Sequence, residues 1–105
     1  MITITNKSSN INWDGSMRKG VIITSRIHPG ETGASWIVSG ILKYLTSDSE
    51  EARLLRDEFV FKIVPMLNPD GVIHGNYRTS LSGADLNRRW KVSNSNLYPT
   101  IFFTW

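Results

Sequence analysis

The chain has no cysteine, which removes a disulfide framework and every thiolate metal site from consideration. Any metal must be held by histidine, aspartate or glutamate, and histidine is scarce, with only His28 and His74 present. Long apolar runs are missing too, so no segment has the roughly 20 residues that a membrane-spanning helix requires. The opening Met1-Ile2-Thr3-Ile4-Thr5-Asn6 lacks the basic stretch and apolar core of a secretory signal. A soluble, cytoplasmic protein with no membrane partner is the expectation. Charge of one sign does not dominate: 12 Lys and Arg against 9 Asp and Glu leave +3, scattered from Lys7 to Lys91, which argues against a nucleic-acid partner.

What is present is ordinary globular material: 105 residues, 40% apolar and 20% charged, without repeats or low-complexity tracts, enough for one small domain or part of one. Ile2-Thr3-Ile4-Thr5 alternates like a half-buried edge strand, and Asn6 to Gly20 reads as a loop rich in Ser, Asn and Gly. Val21 to Ile27 is nearly continuous in β-branched residues, the pattern of a strand covered on both faces, and it delivers His28 at its end. Ala34, Ile37, Val38, Ile41 and Leu45 then fall at helical spacing, with Thr32 as the expected N-cap. Ser47 with Glu50 suggests a capping box for a second helix through Ala52, Leu54 and Leu55, linked to the first by Ser47-Asp48-Ser49. Phe59 to Val64 reads as a strand stopped by Pro65.

Strand, helix, helix, strand is a βαβ unit, so the two strands should be parallel and joined by a right-handed crossover in an α/β fold. Ligands bind such sheets at the C-terminal ends of the strands. His28-Pro29-Gly30-Glu31 leaves one of those ends and Leu67-Asn68-Pro69-Asp70-Gly71 the other. Asn68 to Trp90 shows no convincing periodicity and reads as a long ordered loop that carries Tyr77, Arg78, Asp85, Asn87, Arg88 and Arg89. Leu97-Tyr98-Pro99-Thr100 can open a further helix.

Zinc that does chemistry takes three protein ligands and keeps an open position, and His-x-x-Glu supplies two. The spacing by itself better suits a histidine at a strand end and a glutamate whose charge complements a helix N-terminus, since His-x-x-Glu is common by chance. Pro29 favours an extended His28 and Gly30 permits a tight turn, so the two side chains can converge. His74 has no partner at ligand spacing and reads as a solvated loop residue. Arg78, Asn87 and Arg88 suit two-point grip on a carboxylate and stabilisation of an oxyanion, or are arginines of a solvated loop. Arg89 reads as a surface residue, and Asp70 and Asp85 as turn and loop braces.

Together these residues closely resemble the zinc metallocarboxypeptidases, and within them the cytosolic carboxypeptidase branch. The likeness runs in family order through Ile27-His28-Pro29-Gly30-Glu31-Thr32 with Ala34-Ser35-Trp36, through Phe61 to Val72, through Gly75-Asn76-Tyr77-Arg78, and through Ser80 to Trp90, within a span from 27 to 90 that is about three fifths of the chain. It implies that His28 and Glu31 ligate Zn2+, that Arg78 polarises the scissile carbonyl, and that Asn87 and Arg88 bind the substrate's terminal carboxylate. It further implies removal of C-terminal residues, glutamates above all, from peptide or protein tails, notably tubulin. Thr79 stands where the branch often has cysteine and Gly33 where it often has asparagine, with no expected effect on the chemistry.

The family's third ligand, a histidine well downstream, and its general-base glutamate have no counterpart in this sequence. The expectation is therefore an N-terminal fragment of the catalytic domain, beginning near an early strand, without the accessory β-domain, and inactive alone. Its fold should be an incomplete zinc-carboxypeptidase fold with a mixed, partly parallel sheet and flanking helices. The competing expectation is a non-catalytic module in which Arg78, Asn87 and Arg88 bind acidic C-terminal tails, and a third is a product with no stable fold.

Overall fold

The computed structural model describes residues 1–7, 15–92 and 94–104. Residues 8–14 of the expected Asn6–Gly20 loop lie outside them. One sheet forms, in the order β1 (Ile2–Ile4), β3 (Phe59–Val64), β2 (Lys19–Thr24). β2 runs parallel to β3 with Val21 opposite Phe61 and Ile23 opposite Ile63, while β1 lies antiparallel with Ile4 opposite Phe61. The helices α1 (Thr32–Leu45) and α2 (Glu50–Glu58) connect the two parallel strands, so the mixed, partly parallel sheet with flanking helices expected from the sequence is what forms.

Strand side chains alternate between faces, so Ile4, Val21, Ile23, Phe61 and Ile63 share one face. There they pack with Val38 and Leu45 of α1 and Leu55 of α2 into the main core, in which Ile63 is fully buried. On the other face Val64 joins a second cluster with Leu67, Leu86 and Ile101. Cover on that face is partial. Ile22 remains 64% exposed, so β2 is not the doubly covered strand its apolar run suggests, because both crossover helices contribute to the same core.

β2 also starts and stops earlier than Val21–Ile27. Ser25 still bonds to the chain of β3 and its continuation, its N–H donating to Val64 O and its carbonyl accepting from Leu67 N, both at 2.9 Å. Arg26 then turns into the left-handed region at φ 51° and ends the strand. His28 consequently lies on a short turn beyond Thr24 rather than on the strand itself.

The helix ends differ in detail from their sequence signals. Thr32 is the first residue of α1, and its N-cap is Glu31, which makes no side-chain cap bond. Ser49, not Ser47, caps α2, its Oγ accepting from Ala52 N at 3.2 Å, while Ser47 Oγ donates to Ser49 Oγ. Arg56 reaches back from α2 to donate to the carbonyls of Leu45 and Ser47 at 2.6 and 2.9 Å, satisfying groups the end of α1 leaves open.

The 68–90 stretch is more regular than its lack of periodicity suggests. It holds α3 (Pro69–His74) and a 3-10 turn at Leu86–Arg88. Asn68 caps α3 by accepting from Gly71 N at 3.0 Å, Pro69 occupies the first turn, and Gly75 closes the helix at φ 74°. A last short helix, α4 (Pro99–Phe102), forms where Leu97–Thr100 signals one. No helix among the described residues is long and apolar enough to cross a membrane.

Candidate functional site

The turn that carries His28 is pinned from three sides. Asn68, 2% exposed, receives the chain from β3: its N–H donates to Arg26 O at 3.2 Å and its side-chain amide to Ile27 O at 3.3 Å. Gly30 N donates to Tyr77 O at 2.8 Å. A Cβ at Gly30 would lie 2.4 Å from the Tyr77 ring and 2.9 Å from its carbonyl, and one at Gly71 would lie 2.3 Å from the Pro29 ring and 2.7 Å from Thr79 O. Only glycine lets these backbones approach so closely. The segments around Asn68–Gly71 and Tyr77–Thr79 thus interlock with His28-Pro29-Gly30-Glu31.

His28 is 7% exposed and uses both ring nitrogens. Nδ1 faces Glu31 Oε1 at 3.1 Å, and Nε2 faces Asp85 Oδ1 at 3.0 Å. Asp85 also accepts from Arg78 Nε at 2.8 Å and from the backbone N–H of Asn87 at 2.9 Å. A continuous chain of contacts therefore runs Glu31, His28, Asp85, Arg78. Desolvation pushes the Asp85 carboxyl up, but hydrogen bonds from His28, Asn87 N and Arg78, with the Arg78 charge, outweigh it and hold it below its ordinary value.

An ionised Asp85 can only accept, so the proton of a neutral His28 ring sits on Nε2 and the lone pair on Nδ1 points at Glu31. Two acceptors then face each other at 3.1 Å. That arrangement calls for a positive charge between them, either a proton on Nδ1 or a cation. Tetrahedral zinc places its nitrogen and oxygen ligands roughly 3.3 Å apart, so the donor types and the spacing both fit two positions of a zinc site. Asp85 is the carboxylate that a metal-bound imidazole usually donates to, fixing its tautomer and orientation. Among the described residues no three His, Asp or Glu side chains gather at one point, and the exposed His74 at the end of α3 takes no part in the pair.

Reading Asp85 as a loop brace captured half of its position: it caps the 3-10 turn, and it also bonds His28. A carboxylate two residues ahead of Asn87, in a chain with a candidate metal-binding histidine, was the available signal. Asn87 and Arg88 ride on the turn that Asp85 caps. Trp90 Nε1 donates to Asn87 Oδ1 at 2.8 Å, which orients the amide, while the Arg88 side chain is exposed and donates only a long 3.4 Å bond to Asn87 O. Arg78 is half-exposed with one edge taken by Asp85. Arg89 is not the solvated surface residue expected, since its guanidinium lies 5.6 Å from the Tyr98 ring centroid and braces the C-terminal segment.

The sequence pattern of the family described as zinc carboxypeptidase matches residues 1–100. The chain belongs to the zinc carboxypeptidase family. Among its relatives, cytosolic carboxypeptidase 2 of Xenopus tropicalis is 53% identical over 104 residues, which cover 99% of this chain and 11% of that protein. Cytosolic carboxypeptidase 1 of Xenopus laevis is 59% identical over 87 residues, 83% of this chain and 7% of that one. Among solved structures, a metallo-carboxypeptidase from Burkholderia cenocepacia superposes with a TM-score of 0.82 at 39% identity, covering 94% of this chain and 26% of that chain. The metallo-carboxypeptidase from Pseudomonas aeruginosa in complex with (2-guanidinoethylmercapto)succinic acid gives 0.79 at 31%, covering 95% and 25%. The chain thus spans about a tenth of the curated relatives and about a quarter of the solved carboxypeptidase structures it matches.

Proposed function

We propose that this chain is the N-terminal part of a zinc carboxypeptidase catalytic domain and supplies two metal ligands, the oxyanion arginine and the carboxylate grip of the site. The observation that carries the reading is the contact of His28 Nδ1 with Glu31 Oε1 at 3.1 Å, with the ring's other nitrogen on Asp85. Zinc, when bound, supplies Lewis acidity and lowers the pKa of a water to roughly 7. His28 and Glu31 would hold the ion, with Asp85 keeping His28 in the tautomer that leaves Nδ1 free to ligate. Arg78, oriented by Asp85, presents a cation where the scissile carbonyl develops negative charge. Asn87 and Arg88 take the terminal carboxylate of the substrate, Arg88 as an exposed guanidinium and Asn87 with its amide set by Trp90.

The substrates are peptide or protein C-terminal tails, glutamate-bearing ones first, and tubulin tails among them. The names of the relatives support a cytosolic setting, and the ligand of the Pseudomonas aeruginosa structure, a succinic acid derivative, supports carboxylate recognition. With two metal ligands and no general base in place, the 105-residue chain alone does not hydrolyse peptides. The test is an assay of glutamate release from a C-terminal glutamate peptide by this chain and by a longer protein that continues it. Zinc-dependent release is expected only from the longer protein, and release by this chain alone overturns the half-site reading. The exposure of Arg88 favours one second reading, a module that binds acidic tails without cleaving them, which predicts peptide binding that Arg88→Ala abolishes and a chelator leaves untouched.

A further inference from the structure

Arg26 stands out because its backbone is in a conformation that arginine disfavours and its side chain is engaged at both ends. It is the one described non-glycine residue at positive φ, 51°, a backbone region that L side chains disfavour. Glycine would take that conformation freely. What arginine adds must therefore lie in the guanidinium. Its Nε donates to Pro29 O at 2.8 Å and its Nη1 to Ser35 Oγ at 2.7 Å.

Those two bonds bracket the His28 and Glu31 pair in sequence. The contact from Arg26 to Pro29 closes a loop around His28, and the continuation to Ser35 closes a second around Glu31. Pro29 is buried and its carbonyl needs a donor, which Arg26 provides. Glu31 is the N-cap of α1 but its side chain makes no cap bond, so other ties help to fix the start of that helix. Two side-chain ties do this: Ser25 Oγ donating to Ala34 O at 2.9 Å, and Arg26 on Ser35. The Arg26 carbonyl accepts from Asn68 N, so one residue joins the β3 extension, the ligand turn and α1. A planar fork with two fixed donor directions suits such a three-way joint better than a flexible ammonium.

We propose that Arg26 is the positioning residue of the His28 and Glu31 pair, a clamp from the Pro29 carbonyl to Ser35 that fixes the separation and aim of the two ligands before metal arrives. The proposal rests on the metal-site reading above and makes no contact with metal or substrate itself.

The test compares wild type with Arg26→Gly, which keeps the left-handed backbone and removes the clamp, with Arg26→Lys, and with Ser35→Ala. Each is measured by Zn2+ titration calorimetry, by long-range proton–nitrogen NMR of the His28 ring without metal, and by thermal unfolding. The expectation for Arg26→Gly is a loss of about tenfold in Zn2+ affinity, averaging of the Nδ1 and Nε2 resonances, and retained cooperative unfolding, with Arg26→Lys between it and wild type. Zn2+ affinity within twofold of wild type together with unchanged ring resonances overturns the proposal. If Arg26→Gly does not fold, Ser35→Ala decides: a severalfold weaker Zn2+ affinity in a folded chain supports the clamp and an unchanged affinity overturns it. If the wild-type chain takes up no Zn2+, the metal-site reading fails, and the ring resonances still judge the clamp, averaging in Arg26→Gly or Ser35→Ala supporting it and fixed resonances in both overturning it.

Discussion

His28 and Asp85 are 57 positions apart in sequence, yet the imidazole Nε2 and the carboxylate meet at 3.0 Å. That contact ties the turn after β2 to the loop before the 3-10 turn, and it sets which ring nitrogen faces Glu31. Removing it should therefore act on the metal pair as well as on the loop. Asp85→Ala is expected to lower Zn2+ affinity by roughly 10–100-fold, the usual effect of losing such a carboxylate partner. Calorimetric titration checks this, alongside circular dichroism to confirm that the helices remain.

The same carboxylate predicts an acid limb. Asp85 is held below its ordinary value, about 3.9 in an unfolded chain. A group depressed in the folded state adds stability above its unfolded pKa, and that contribution is lost as pH falls through the folded value. Thermal unfolding followed downward from pH 5 should show the midpoint dropping below about pH 4. Asp85→Asn should be less stable at neutral pH and should lose less on acidification.

Glycine substitutions should divide sharply by location. Gly71→Ala drives a Cβ into Pro29 and the Thr79 carbonyl, and Gly30→Ala into Tyr77. Each is expected to destabilise by about 1–3 kcal/mol, as overpacking does. Gly40→Ala, inside α1 with no atom within 4 Å, should instead stabilise by roughly 0.5–1 kcal/mol. Urea unfolding of the three variants measures the contrast.

On the substrate side, Arg88→Ala should weaken binding of a peptide ending in glutamate by about tenfold or more, since a hydrogen bond to a charged group contributes roughly 1.5–3 kcal/mol. The measurement is peptide titration by fluorescence anisotropy. Arg89→Ala, which loses a stacking contact with Tyr98, should leave peptide affinity within about twofold and lower stability instead.

The parts of this structure that sequence made legible are those where local pattern and tertiary demand agree. The stripe from Ala34 to Leu45 became α1, Phe59–Val64 became the central strand, and Pro29-Gly30 brought His28 and Glu31 together as backbone preference suggests. Misreadings fell where long-range contacts decide. β2 stops short of Ile27 because Arg26 leaves the strand conformation to serve the turn, and nothing in a β-branched run announces that. Ile22 stays exposed because which sheet faces are covered depends on where α1 and α2 land. α3 has six residues, too few for a period to show, although Asn68 and Pro69 carried its start signal. Asp85 was visible as a turn residue but not as the partner of His28, since no local spacing links positions 28 and 85.

The central claim is that His28 and Glu31 form one half of a zinc site, poised by Asp85. Its most direct test is Zn2+ titration of the 105-residue chain at neutral pH beside His28→Ala and Glu31→Ala. The account predicts saturable one-to-one uptake by the wild type that either substitution abolishes while the fold persists. Uptake that survives both substitutions, or no uptake by the wild type, would contradict it.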